Sequence, residues 1–176
     1  MILFLDFDGV LHPTDVYLKK DRPTLHGEGE LFMWAPQPID ALAPYPHVKI
    51  VLSTSWVRVR GFTRTRRALP EALRARVIGA TWHSGMREVD FFSQSFSSRL
   101  TEGPIWYDKA TRFQQIEKYL SRANVQQWIA IDDLLEHTED WNADYEANLV
   151  KTNPLLGLSD PVALVNLQSI LLSSEK

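Results

Sequence analysis

The chain has 176 residues, of which 44% are hydrophobic and 23% charged, a balance that is ordinary for one globular domain. A net charge of −3 excludes a polycation, and the absence of cysteine excludes disulfides and thiolate metal sites. No stretch approaches the roughly 18 apolar residues that a membrane span needs. Asp6 and Asp8 interrupt the apolar amino-terminal stretch, so we predict no signal peptide, no membrane partner and a cytoplasmic protein.

The first half of the chain predicts short buried strands separated by loops and helices. The opening strand is Ile2 to Leu5, which is apolar throughout. Residues 12–35 mix prolines and glycines with polar residues, which is typical of an irregular excursion. The other elements expected here are a short helix over 39–43, a strand over 48–52, two Arg-rich helices within 58–76 that separate near Pro70, and a strand over 77–82.

The second half begins with a weak pattern, since residues 81–108 are rich in serine and glycine and predict loops. A clear helix follows over 109–123, where apolar residues recur on one face. The elements expected after it are a strand in WIAIDD (128–133), a strand within 147–154, and a final helix that Ser159 or Asp160 begins and that runs to about Leu172.

Apolar strands that alternate with helices predict a parallel sheet covered on both faces. Polar pairs follow three of these strands, and the carboxyl ends of parallel strands form the usual ligand crevice. The pairs are Asp6 with Asp8, Ser53 with Thr54, and Asp132 with Asp133. We therefore expect all three pairs to converge on one site.

Several carboxylates in one dry crevice repel each other unless a cation lies between them. Oxygen ligands suit Mg²⁺, which leaves room for a phosphate. An ionised aspartate can then attack phosphorus, and a second carboxyl can protonate the leaving oxygen. A hydroxyl and a basic side chain can hold the phosphoryl oxygens. The chain offers each part in order: Asp6, Asp8, Thr54, a cation near 109–112, and Asp133.

Four stretches of the chain resemble the motifs of the haloacid dehalogenase (HAD) phosphohydrolase superfamily: DFDGVLH, IVLSTSW, a basic residue that opens a helix, and WIAIDD. DFDGVLHP together with VLSTSW looks more narrowly like the small HAD domain of Swiss-army-knife RNA-repair proteins. The resemblance implies an α/β, three-layer Rossmann-like fold with a central, mostly parallel sheet and a minimal cap or none. We expect one HAD-like domain over residues 1–176, with 12–35 and 57–108 as the segments that could form a small cap or face the substrate.

The first motif implies most of the chemistry. By resemblance, Asp6 is the nucleophile and a metal ligand, and Asp8 is the general acid and base, whose backbone carbonyl also touches the metal. Gly9 would allow the tight backbone path around the phosphate.

The later motifs leave two roles open. In the second motif Thr54 aligns best, with Ser53 as its rival. In the third, the family's basic residue lies seven positions before an aromatic–Leu pair, which points to Arg112, although Lys109 lies one turn earlier on the predicted helix. In the fourth, the resemblance makes Asp133 the Mg²⁺ ligand and Asp132 the residue that orients the basic side chain of the third motif.

The segment from Arg58 to Arg76 holds seven arginines and one glutamate, a net charge of +6. Such a run is either a solvated face or a rim that contacts the phosphates of nucleic acid, next to Trp56, which directly follows the hydroxyls of the second motif. The candidate substrate contacts are Gly9, Ser53, Thr54, Trp56 and Arg58. His12 is as well explained by a structural role as by a substrate contact.

These parts together predict a Mg²⁺-dependent phosphatase that forms a phosphoaspartyl intermediate. Without a full lid the crevice should be open, which favours large substrates such as a phosphorylated nucleic-acid end or a phosphoprotein. If residues 57–108 instead cover the site, a nucleotide or a sugar phosphate is favoured. Two alternatives stay open. One is a HAD-fold module that binds phosphorylated nucleic acid or protein without turnover, and the other is a phosphatase or phosphotransferase for small metabolites.

Overall fold

A computed structural model describes residues 1–20, 22–83, 86, 106–134, 141 and 143–174. Most of the predicted loop region between 84 and 105 lies outside the described residues. The prediction that residues 57–108 could cover the site therefore concerns a segment that is described only in part.

The chain alternates strands and helices, and all bounds follow in chain order. The strands are β1 (Ile2–Leu5), β2 (Val16–Lys19), β3 (Arg22–Leu25), β4 (Lys49–Leu52), β5 (Val77–Ala80), β6 (Trp128–Asp132) and β7 (Leu149–Lys151). The helices are α1 (Pro36–Leu42), α2 (Ser55–Arg60), α3 (Phe62–Ala68), α4 (Glu71–Arg74), α5 (Trp106–Lys109), α6 (Arg112–Ala123) and α7 (Pro161–Ser173). A 3-10 helix covers Ala143–Asn148. In the described part of the chain, no helix has the length and apolar character to cross a membrane.

Five strands form one parallel sheet in the order β5-β4-β1-β6-β7, which confirms the predicted α/β, Rossmann-like architecture. The strand that carries the first motif, β1, is the central one. Leu5 is in register with Leu52 on one side and with Ile131 on the other. The residues that follow these three strands therefore begin at one level of the sheet edge.

Side chains alternate between the two faces of the sheet, and each face has its own apolar cluster. Leu3 and Leu5 belong to the larger cluster, which α7 joins through residues such as Leu167. Phe4 packs on the opposite face with Phe113 and other residues of α6. Three layers result, and α6 lies on the face toward which Phe4 points.

The segment 12–35 is more regular than its composition predicts. It contains an antiparallel hairpin of β2 and β3, in which Leu18 pairs with Pro23. Proline is tolerated in edge strands because no sheet neighbour needs its missing N–H, and both strands of a two-stranded hairpin are edges. The composition that indicated a loop is therefore compatible with a hairpin.

The Arg-rich segment forms three helices, α2, α3 and α4, where the sequence predicted two. The expected break at Pro70 is present, and a second break occurs at Gly61, whose φ of 82° lies in the left-handed region. Glycine accepts that conformation without the steric penalty that a Cβ would bring.

The last two long helices begin where side chains cap them. Thr111 forms a capping box with Gln114, so α6 begins at Arg112 and not at the predicted Lys109. Asp160 accepts a hydrogen bond from the Val162 amide and so begins α7 as expected, one of the two caps predicted.

Candidate active site

Three buried carboxylates meet at the carboxyl edge of the sheet. Asp6 follows β1, Asp132 ends β6 and Asp133 follows it. One oxygen from each lies within 4.8 Å of the other two. We call Asp6, Asp132 and Asp133 the carboxylate cluster. Of the three predicted polar pairs, this cluster contains Asp6 of the first and both members of the third.

Arg112 is the cation that reaches this cluster. Its Nη2 lies 3.0 Å from Asp6 Oδ2, and its Nε lies 2.8 Å from Asp132 Oδ2. The first residue of α6 can do this because α6 packs on the face of the sheet that carries Asp6 and Asp132. Lys109, the alternative cation, is exposed on α5.

Gln115 holds the guanidinium from behind. Its Oε1 accepts a hydrogen bond from Arg112 Nη1 at 3.3 Å. Its Nε2 donates to the carbonyl oxygens of Tyr107 and Ala110, at 3.0 and 3.2 Å. Arg112 is therefore fixed between its two carboxylates and the backbone that precedes α6.

The electrostatics around Asp6 and Asp132 favour their protonation. Burial raises the pKa of Asp6 well above its ordinary value; Arg112 lowers it, and the carboxylates of Asp132 and Asp8 raise it further. Burial likewise raises the pKa of Asp132, against the lowering effect of Arg112. One guanidinium thus does not compensate three buried carboxylates.

A divalent cation fits this excess of negative charge. All three donors are carboxylate oxygens, which are the ligands that Mg²⁺ takes in proteins. Asp133 is oriented by the Thr14 hydroxyl, which donates to its Oδ2 at 2.7 Å. The donor set and its charge therefore suit a hard cation such as Mg²⁺.

Gly9 is necessary for the approach of the first-motif loop to Asp133. Its φ is +67°, and a Cβ at this position would overlap the Asp133 carboxylate. The Thr152 hydroxyl donates to the Gly9 carbonyl at 2.7 Å and ties this loop to the residue after β7. Any residue other than glycine would displace Asp133.

Asp8 lies outside the carboxylate cluster and is held by two aromatic side chains. The Trp56 indole donates to its two carboxylate oxygens, at 2.9 and 3.1 Å. His12 Nε2 lies 3.0 Å from Asp8 Oδ1, and His12 Nδ1 accepts a hydrogen bond from the Phe32 amide. Since Nδ1 accepts, Nε2 carries the proton and donates to Asp8. His12 is completely buried, so its position fits a structural role and not a substrate contact.

The two hydroxyls after β4 differ in their environment. Thr54 is the N-cap of α2, and its Oγ1 accepts from the Trp56 amide. Ser53 follows Leu52, so it lies beside Asp6 in the sheet and on the same face. Its Oγ is buried and has no hydrogen-bond partner among the described residues. Ser53, the alternative to Thr54 in the second motif, therefore carries the hydroxyl that is available to a ligand.

The seven arginines between 58 and 76 lie in three kinds of environment. Some hold the fold: Arg76 donates to the carbonyls of Leu42, Tyr45 and Val48, Arg66 donates to the Arg74 carbonyl, and Arg74 pairs with Glu71. Three others are exposed, namely Arg58, Arg64 and Arg67. The Arg60 guanidinium lies 5.6 Å from the centre of the Trp56 ring. The net charge of the segment, +6, is therefore larger than the number of its arginines that are exposed to solvent.

Three residues of the site carry no signal in the sequence: Thr14, Gln115 and Thr152. Each acts through one hydroxyl or amide that contacts another site residue. Single polar residues without a repeated spacing do not stand out from ordinary surface positions, so only the fold identifies them.

A five-stranded parallel sheet with clustered carboxylates and a paired guanidinium at its carboxyl edge defines a Rossmann-like fold of the HAD type. The family described as "HAD domain in Swiss Army Knife RNA repair proteins" matches residues 2–163. The chain belongs to this family, which confirms the resemblance drawn from its motifs. Neither the curated proteins nor the solved structures contain a significant match. Family membership indicates a phosphohydrolase-type or RNA-repair-related activity.

Proposed function

We propose that this protein is a Mg²⁺-dependent phosphatase that forms a phosphoaspartyl intermediate on Asp6. The observation that carries the proposal is the position of Asp6 at the carboxyl edge of the sheet, where it pairs with Arg112 and clusters with the carboxylates of Asp132 and Asp133. Asp8 follows two residues later and is held separately. One loop thus supplies a nucleophile and a separate acid.

The predicted ligands of the metal are Asp6, Asp133 and the backbone carbonyl of Asp8. Asp132 pairs with Arg112 through the guanidinium Nε and so orients this cation. When bound, Mg²⁺ would offset the repulsion within the carboxylate cluster and the negative charge of the phosphoryl oxygens. It would also favour the ionised, nucleophilic form of Asp6.

The reaction divides into two displacements at phosphorus. An Asp6 oxygen attacks phosphorus, the ester P–O bond breaks, and the leaving oxygen takes the proton of the Asp8 carboxyl. Asp8 then takes a proton from water, whose oxygen attacks the same phosphorus and breaks its bond to Asp6. Phosphate leaves and both aspartates return to their starting forms.

Two side chains would hold the phosphoryl oxygens during both displacements. Arg112 donates from one side, and the Ser53 hydroxyl, buried and without a partner in the described part of the chain, donates from the other. Thr54 would instead support the turn that presents Ser53, since its hydroxyl caps α2.

The proposed substrates are phosphorylated nucleic-acid ends or nucleotides. The family description, with its reference to RNA repair, supports nucleic acid. So do the exposed arginines Arg58, Arg64 and Arg67, which can contact backbone phosphates.

The test is phosphate release from a panel that covers 5′- and 3′-phosphorylated oligonucleotides, mononucleotides, sugar phosphates and phosphopeptides, with and without Mg²⁺. We expect turnover of the oligonucleotides in Mg²⁺ and its loss in Asp6→Asn. An Asp6→Asn variant with the wild-type rate would overturn the assignment of Asp6 as the nucleophile. Tight binding without phosphate release would indicate a binding module, and transfer to an added alcohol a phosphotransferase.

A further inference from the structure

A cleft of about 140 Å³ lies beside Asp8, between the hairpin of β2 and β3 and helix α2. We call it the hairpin cleft. The side chains that define its character are Asp8, Tyr17, Pro23, Trp56, Val59 and Arg60. Its walls are thus mainly apolar or aromatic, with one carboxylate and one guanidinium.

The position of the hairpin cleft relates it to the leaving group. In the proposed function Asp8 gives its proton to the leaving oxygen, so the leaving nucleoside must begin next to Asp8. Its ribose is bonded to that oxygen, and its base lies farther from phosphorus. The Asp8 carboxylate is part of the cleft wall and is anchored there by the Trp56 indole. No member of the carboxylate cluster, where phosphorus would bind, is among the residues that line the cleft.

The lining of the cleft favours a flat apolar group over a sugar. Tyr17 and Val59 are 43% and 57% exposed, so both present apolar surface to whatever enters. The hydroxyls of a sugar phosphate would find few polar partners on such walls. A nucleobase instead has two π-faces that pack on aromatic and apolar side chains.

The size of the cleft indicates that it holds only part of a substrate. Pockets that enclose a complete small ligand measure roughly 300–1,000 Å³, more than the 140 Å³ available here. The remainder of the substrate must lie outside the cleft. Arg60 of α2 lines the cleft, with its guanidinium over the Trp56 ring, and Arg64 and Arg67 of the next helix, α3, are exposed.

We propose that the hairpin cleft binds the base of the terminal nucleoside of a phosphorylated nucleic-acid end, with Arg60 beside the next backbone phosphate. The inference rests on the proposed function for the role of Asp8. It adds that the enzyme recognises the base of the leaving nucleoside and not only its phosphate.

The experiment compares two phosphorylated oligonucleotides that differ only at the terminal nucleotide, which carries a base in one and is abasic in the other. The first readout is the ratio of their kcat/KM values. The second is the ratio of their dissociation constants for the Asp6→Asn variant, which requires no turnover. Because one stacked base contributes about 1–3 kcal/mol, we expect both ratios to favour the base-bearing end about tenfold.

Two variants locate the effect, and a third is their matched control. Tyr17→Ala and Val59→Asp should each bring both ratios toward one. Val165→Asp adds the same charge at an equally exposed valine, since Val59 and Val165 are both 57% exposed, but on the distant helix α7. This control should keep the wild-type ratios.

The outcomes separate the inference from the proposed function. Equal turnover and equal binding of the two oligonucleotides would overturn the proposal that the cleft binds a base, and would leave the proposed phosphatase activity unaffected. A base preference in binding without phosphate release would support the cleft and overturn the phosphatase. Faster turnover of a phosphopeptide than of the base-bearing oligonucleotide would also overturn the assignment of the cleft.

Discussion

On the phosphoryl side of the site lies the carboxylate cluster, which is buried and cross-linked to Arg112 through two ion pairs. On the leaving-group side, beside Asp8, lies the hairpin cleft, which is partly open, mainly apolar and bounded by an exposed hairpin. The first side provides fixed charges that suit a phosphoryl group. The second provides a surface whose shape depends on a hairpin and a short helix. The chemistry and the choice of substrate are thus built from different kinds of structure.

The largest expected effect that separates the two sides comes from Asp8→Asn. Loss of a general acid should lower kcat/KM by about 10²- to 10⁴-fold for an alkyl or nucleoside leaving group. The kcat/KM of an aryl phosphate should fall much less, since its leaving oxygen needs little protonation. The later hydrolysis of the phosphoaspartate, in which Asp8 acts on every substrate alike, does not enter kcat/KM. Steady-state kinetics with both substrates measure the difference, and Asp6→Asn is the control that should lose both. An equal loss for both substrates in Asp8→Asn would break the division between the two sides.

Arg112→Ala should lower kcat by about 10²- to 10³-fold, whatever the leaving group. Arg112 contacts Asp6 and Asp132 on the phosphoryl side, so its loss should affect aryl and nucleoside phosphates alike. Arg112→Lys should recover part of the rate. Lys109→Ala is the matched control, because this cation is exposed on α5. If Lys109→Ala shows the larger loss, Lys109 holds the third-motif role.

The carboxylate cluster should make stability depend on pH and on Mg²⁺. For Asp6 and Asp132 the folded-state pKa lies above the ordinary 3.8, so the folded protein binds more protons than the unfolded chain. Without metal, their contribution to stability is therefore largest below pH 3.8 and is lost as the pH rises through the raised values. Thermal unfolding should show that Mg²⁺ raises Tm by a few degrees, more at pH 7.5 than at pH 5.

The control for that stability effect is Asp133→Asn, which removes one proposed ligand without touching the ion pairs of Arg112. Its Tm without metal should equal or exceed that of the wild type, because one buried negative charge is gone. Its response to Mg²⁺ should be smaller. An undiminished Mg²⁺ response would place the metal elsewhere.

The smallest effect is expected beyond the hairpin cleft. Replacing Arg58, Arg64 and Arg67 by glutamine should weaken oligonucleotide turnover and lower the salt slope by about one per lost phosphate contact. Arg76→Gln is the contrasting variant, since Arg76 donates to three backbone carbonyls. It should lower Tm and leave the salt slope unchanged. An unchanged slope in the triple variant would assign these arginines to solubility.

The parts of the site that follow a buried strand were predictable from the sequence. Asp6 and Asp132 stand out because a carboxylate after an apolar run is costly to bury without a partner. Arg112 could be chosen over Lys109 by its spacing from the aromatic–Leu pair, and the structure places it against both carboxylates.

The contacts that cross between elements were not predictable. Ser53 and Thr54 both offer a hydroxyl after β4, and the direction of each side chain decides which of them is available. That direction depends on where β4 ends. Thr14 reaches Asp133 from 119 residues away. The hairpin of β2 and β3 carries a proline and charged residues, and isolated edge strands need no apolar alternation.

Trp56 has a consequence that reaches beyond its contacts. The same indole lines the hairpin cleft and anchors both oxygens of Asp8. A substrate that displaces the ring would also displace the acid, so a poorly fitting leaving group would be penalised in the proton-transfer step as well as in binding. A substitution of Trp56 that enlarges the cleft would therefore admit more substrates but lower the reaction rate, because Asp8 would lose its anchor. Changes at Tyr17 or Val59 leave that anchor intact.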